Sequence, residues 1–141
     1  MIRAVLFDLD DTLLRLNLMA FIARYVAGAS RLLASAARVS PLSLAAPFAG
    51  SFLAIDAQDR ADSLTNEQLF NQTFFSACGI PLDDPVIADL MECYEREVVP
   101  GYAGGVVSAR PVEGAREAVD GVWRAGLVCA LATNPTFSLA C

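Results

Sequence analysis

The sequence predicts an α/β fold in which a short parallel-sheet core is interrupted by a helical insertion, and three observations carry that expectation. An apolar run of strand length stands near the start (RAVLF, residues 3–7); helix-patterned sequence fills residues 14–110; a further helix then leads into a second apolar run, LVCALA at 127–132. One helix feeding one strand is the pattern of a right-handed crossover, which makes the two strands parallel neighbours. At 141 residues the chain has the size of one ordinary domain, or of a small domain with an insert.

Taken in order, residues 3–7 predict a buried strand, because an apolar run rich in β-formers meets a cluster of acids at Asp8. Leu14, Leu18, Phe21, Ile22, Tyr25 and Val26 recur at helical spacing and predict a first helix from Leu14 to about Ser35. A second helix is expected between Pro41 and Ile55, followed by a polar loop at Asp56 to Ser63. Thr65 and Gln68 form a capping box for a third helix ending near Cys78, where Gly79 provides the C-cap. Asp83 or Asp84 caps a fourth, with Pro85 in its first turn and Val86, Ile87, Leu90, Met91 and Tyr94 along it. A glycine-rich loop is predicted from Gly101 to Ala109. Pro111 then opens a fifth helix whose apolar face is Ala115, Val119, Val122 and Trp123, and Gly126 ends it.

Composition excludes several classes. The net charge is −6, from 16 acidic residues against 10 arginines, and there is neither lysine nor histidine. Without a cationic cluster to neutralise phosphates, a nucleic-acid partner is not expected. The apolar stretch from Leu16 to Ile55 is interrupted by Arg24, Arg31 and Arg38 and broken by Pro41 and Pro47, so no membrane span is expected. Four cysteines (Cys78, Cys93, Cys129, Cys141) lack CxxC spacing and no signal peptide precedes them, which predicts reduced thiols, Cys129 buried in a strand, and a cytoplasmic protein.

The chemistry is concentrated in Asp8-Leu9-Asp10-Asp11-Thr12, immediately after the first apolar run. In extended backbone, residues two apart point the same way, so Asp8 and Asp10 are expected to set two carboxylates on one side at the C-terminal end of a strand. Ligands of open α/β sheets bind at that end. Two carboxylates held close repel one another unless a cation lies between them, and an all-oxygen site suits magnesium. One carboxylate can then act as a nucleophile toward phosphorus while the other exchanges a proton. A calcium EF-hand loop is excluded, since its glycine and glutamate positions hold Leu13 and Met19.

The segment FDLDDTL resembles the first motif of the haloacid dehalogenase superfamily, and residues 111–134 (PVEGAREAVDGVWRAGLVCALATN) are similar to the helix and strand leading into its second. The resemblance implies a Rossmann-like core at residues 1–13 and 105–141 with a helical cap at 14–104. It implies an aspartyl-phosphate formed on Asp8, with Asp10 as general acid and base and Thr12 supporting the turn. Thr133 would donate its hydroxyl to a phosphoryl oxygen with Asn134 beside it, and magnesium would be held by Asp8 and the backbone carbonyl of Asp10. Aspartate at position 10 points to the phosphatase branch, and so to a small phosphorylated metabolite as substrate.

The family's later motifs, a lysine or arginine and a further acidic pair, have no counterpart after the Asn-Pro turn, where residues 137–141 carry no charge. Arg110 and Arg116 are the nearest basic residues, and neither is expected to take that role. The chain is therefore expected to be truncated and impaired in activity. Its first strand is expected to keep an open edge through which it could self-associate. A non-catalytic interaction module and a phosphotransferase or mutase on the same scaffold are the alternatives.

Overall fold

The computed structural model of the chain describes residues 2–56, 63–102 and 104–132. It is a mixed α/β arrangement with five α-helices and four short strands among those residues. The described residues fall into two compact units, 2–21 with 104–132, and 22–56 with 63–102.

In the first unit, β1 (Ala4–Phe7) pairs in parallel with β4 (Val128–Leu131), in the register Ala4↔Val128 through Phe7↔Leu131. The ladder is closed at its ends by the Val128 amide donating to the Arg3 carbonyl at 3.1 Å and the Ala132 amide donating to the Phe7 carbonyl at 2.8 Å. The helix before β4 is α5 (Ala115–Arg124), so the expected helix-then-strand crossover onto β1 is present. A second, antiparallel ladder joins β2 (Leu14–Leu16) to β3 (Ala109–Pro111).

That antiparallel ladder overturns three sequence expectations. Residues 14–16 are strand rather than helix, and α1 (Leu18–Ala37) begins only after Asn17, whose side-chain oxygen accepts from the Ala20 amide at 3.1 Å. The predicted loop at 101–109 is shortened at both ends, by a 3₁₀ turn at Val99–Tyr102 and by the start of β3 at Ala109. Pro111 ends a strand instead of opening a helix. The Asn17 amide bonds the Ser108 carbonyl and the Val112 amide bonds the Leu13 carbonyl, so position 111 falls between hydrogen-bonded pairs, where proline's missing N–H is not needed.

Burial in this unit is also less than predicted. β1 alternates exposed and half-buried residues, with Leu6 65% exposed, because among the described residues it has one strand neighbour. Cys129 is half-buried rather than buried, and Trp123 projects from α5 at 74% exposure, leaving Ala115 as that helix's buried residue.

The second unit closes a core of its own. It contains residues 22–37 of α1, α2 (Pro41–Asp56), α3 (Asn66–Cys78) and α4 (Pro85–Glu97). The core holds Leu33 from α1, Leu44, Phe48 and Phe52 from α2, Phe74 from α3 and Tyr94 from α4. Aromatic edges and faces interlock: Phe48 and Phe74 have ring centroids 4.5 Å apart, Phe52 and Phe70 5.0 Å, and Tyr25 and Tyr94 5.7 Å.

The expected second helix forms as α2 and runs through Pro47. The Pro47 carbonyl accepts from the buried Ser51 hydroxyl at 2.9 Å, and Leu44 and Phe48 on either side are almost wholly buried. The expected caps on α3 form as predicted: Thr65 and Gln68 exchange side-chain bonds of 3.2 and 2.9 Å, and Gly79 takes the left-handed conformation (φ 73°). Asp84 caps α4 with Pro85 in the first turn. No helix among the described residues is long and apolar enough to cross a membrane. Cys78, Cys93 and Cys129 are free thiols; the predicted loop at residues 57–62 and Cys141 lie outside the described residues.

Candidate functional site

Asp8 is the first residue beyond β1, at the C-terminal end of the parallel β1–β4 pair, and it is exposed to solvent. The Ala132 amide bonds the Phe7 carbonyl, so the chain leaves β4 beside the point where it leaves β1. That is the end of a parallel sheet where a ligand meets side chains from successive strand exits.

Regular strand stops at Phe7, so alternation along a strand does not by itself carry the relation of Asp8 to Asp10. A tight turn does. The Leu9 carbonyl accepts from the amides of Leu13 and Leu14, at 3.0 and 2.9 Å, and the Asp11 amide donates to the Leu14 carbonyl at 2.9 Å. Asp10 bridges to Leu14, and Asp11 occupies the left-handed region (φ 56°), which aspartate tolerates better than most residues. The Thr12 hydroxyl closes the loop onto Asp8, donating to its Oδ2 at 3.0 Å. One carboxylate oxygen of Asp8 is thereby engaged.

Asp10, like Asp8, is exposed. Asp11 reaches Arg15 Nε at 4.0 Å, a distant pair between two exposed side chains that adds little stability. Thr133 and Asn134, expected to complete the site, lie outside the described residues. Among the described residues no cluster of three or more acids or cysteines stands ready to hold a metal ion.

Sequence pattern gave no role to Arg15 and noted Arg110 only as a basic residue near the second motif, yet the register sets them directly opposite one another on β2 and β3. Three-residue strands are too short for alternation to announce them. The Asn17 cap was the available signal that α1 starts late and frees residues 14–16 to pair.

The other group of titratable side chains is a packing network in the helical unit. The Tyr25 hydroxyl donates to Glu95 Oε1 at 2.7 Å, Tyr94 and Tyr102 share a hydrogen bond between hydroxyls, and Tyr102 also donates to the Arg24 carbonyl at 3.2 Å. Burial is the main cause that raises the pKa of Tyr25, Tyr94 and Glu95. Tyr25 is raised further by the negative charge of Glu95, and Glu95 by Glu67 and Glu92 against the opposing hydrogen bond from Tyr25. All three tyrosines are buried, so their hydroxyls tie α1 to the segments around them and are not presented to a ligand. Comparison of the chain with family models, with curated proteins and with solved structures finds no match.

Proposed function

We propose that the chain is a magnesium-dependent phosphohydrolase of the haloacid dehalogenase type acting on a small phosphomonoester. One observation carries the proposal: Asp8 stands at the C-terminal exit of a strand in a parallel pair, with one carboxylate oxygen held by Thr12 at 3.0 Å. A carboxylate fixed at one oxygen on a turn is oriented for in-line attack by the other.

Asp8 attacks phosphorus, the bond to the leaving oxygen breaks, and Asp10 gives that oxygen a proton. Asp10 then accepts a proton from water as the water attacks phosphorus, releasing phosphate and restoring Asp8. The donor set suits magnesium, which binds through one or two carboxylates and keeps several waters: Asp8 and the backbone carbonyl of Asp10 would hold it. When bound, it supplies neutralisation of the phosphoryl oxygens. Among the described residues Asp8 has no cationic partner, so turnover by these residues is expected to be slow.

The test is release of phosphate from a generic phosphomonoester with and without magnesium, together with magnesium-dependent binding of beryllofluoride, which reports the acyl-phosphate geometry even where turnover is slow. Asp8→Asn is expected to abolish both. If the wild-type chain shows neither, or Asp8→Asn retains them, the proposal fails.

A second reading is favoured by the exposed apolar residues of the β1–β4 pair, Leu6, Val128 and Leu131 at 65, 62 and 54%. A two-stranded sheet with such a surface suits an interaction module that associates through it. Concentration-dependent dimers in sedimentation, lost in Leu6→Ser and indifferent to Asp8→Asn, would favour it.

A further inference from the structure

In the β2–β3 ladder the register is Leu14↔Pro111, Arg15↔Arg110, Leu16↔Ala109. Two arginines therefore stand directly opposite one another. In an antiparallel pair such partners have Cβ atoms about 4.5–5.5 Å apart, and like charges in that relation destabilise the sheet. Among the described residues no close ion pair offsets this. Arg110 has no carboxylate within ion-pair distance among the described residues, and Arg15 has only Asp11, at 4.0 Å and exposed.

Side chains two apart on a strand share a face, so Asn17 on one side of the ladder and Ser108 on the other flank the arginine pair. All four residues line one groove of about 510 Å³, together with Leu16, Pro111, Val112 and one carboxylate, that of Glu113, which forms no ion pair with either arginine. Asn17 uses its side-chain oxygen to cap α1, which leaves its amide hydrogens available, and Ser108 adds a hydroxyl. Two arginines, an asparagine and a serine thus border one groove.

We propose that this groove is an oxyanion-binding site, in which a phosphate or carboxylate group of a small molecule bridges Arg15 and Arg110. Guanidinium donors match the geometry of both anions, and a bridging anion converts a repulsive cross-strand pair into two charge-assisted contacts. The site goes beyond the phosphohydrolase proposal and does not depend on it, because none of its groups belongs to the Asp8 turn chemistry.

Titration calorimetry of the full chain in low salt, with magnesium chelated, tests it using inorganic phosphate in one arm and succinate in the other. Saturable binding of one anion per chain is expected, weakened at least tenfold in Arg15→Gln and in Arg110→Gln and within twofold of wild type in Asp8→Asn. The arm with the tighter binding identifies the anion class. Arg110→Glu, which makes the cross-strand pair attractive, is expected to abolish binding while raising the melting temperature without ligand; this confirms that the variant folds. Absence of saturable binding of either anion by the wild type, or equal binding by Arg110→Glu, overturns the site. Binding that disappears only in Asp8→Asn overturns it too, and assigns the anion to the Asp8 turn.

Discussion

In the helical unit Phe48, Leu33 and Phe74 are wholly withdrawn from water, whereas in the strand-bearing unit Leu6, Val128 and Leu131 keep 54–65% of their surface exposed. Helices can close an aromatic core among themselves, since each presents an apolar stripe that a neighbour covers. Two paired strands cannot do so, because they leave edges and a face unsatisfied, and such a pair is marginal in water without further layers. The residues with chemical potential, Asp8, Asp10, Arg15 and Arg110, all lie in the less buried unit. Stability and candidate function are thus carried by different stretches of chain.

The contrast can be broken or sharpened by substitutions read in chemical denaturation of the full chain. The largest effect is expected from Phe48→Ala, which empties the centre of the aromatic cluster and should cost about 3–5 kcal/mol. Retention of the wild-type midpoint would show that the helical core is not what holds the chain together.

Gly28→Ala comes next. A Cβ there would overlap the Tyr94 hydroxyl and crowd that of Tyr102, so the tyrosines must move off the helix backbone they bond, at a cost of about 1–3 kcal/mol. Fluorescence of the buried tyrosines should change in the same variant.

Leu6→Ala, on the open strand, is expected to cost less than about 0.5 kcal/mol, as for surface substitutions generally. A loss comparable to that of Phe48→Ala would mean that the β1 face is covered in solution, and would favour association through it.

The smallest effect is a pH dependence confined to the helical unit. Burial, with repulsion from Glu67 and Glu92, raises the Glu95 pKa, so the folded protein binds this proton more tightly than the unfolded chain does. Stability should therefore fall as pH rises from the ordinary glutamate value of 4.5 through the raised folded value. Glu95→Gln keeps an acceptor for Tyr25 and removes the titration. Its denaturation midpoint should be flatter across that window, and an unchanged slope would show that Glu95 titrates normally.

Much of the helical unit was legible in advance because its signals are local. Thr65 and Gln68 satisfy one another's amides within a single turn, Asp84 caps the amides of Val86 and Ile87, and Gly79 takes a conformation that other residues avoid. The parallel β1–β4 pair was legible for a different reason, that a helix feeding an apolar run constrains the handedness of its return. Of the candidate site, spacing marked Asp8 and Asp10, the resemblance to a family motif marked Thr12, and the structure adds the bond from Thr12 to Asp8.

The chain's own order of residues determined which segments are apolar runs, which helices carry caps, and where two acids follow a strand, since each is a property of neighbours in sequence. Tertiary structure alone decided that residues 14–16 leave the helix for a ladder with residues 109–111, that Pro111 sits where no donor is required, and that two arginines far apart in sequence face one another. Strands take their hydrogen bonds from distant partners, and a register between segments of three residues is set by the geometry that brings them together rather than by any pattern within either.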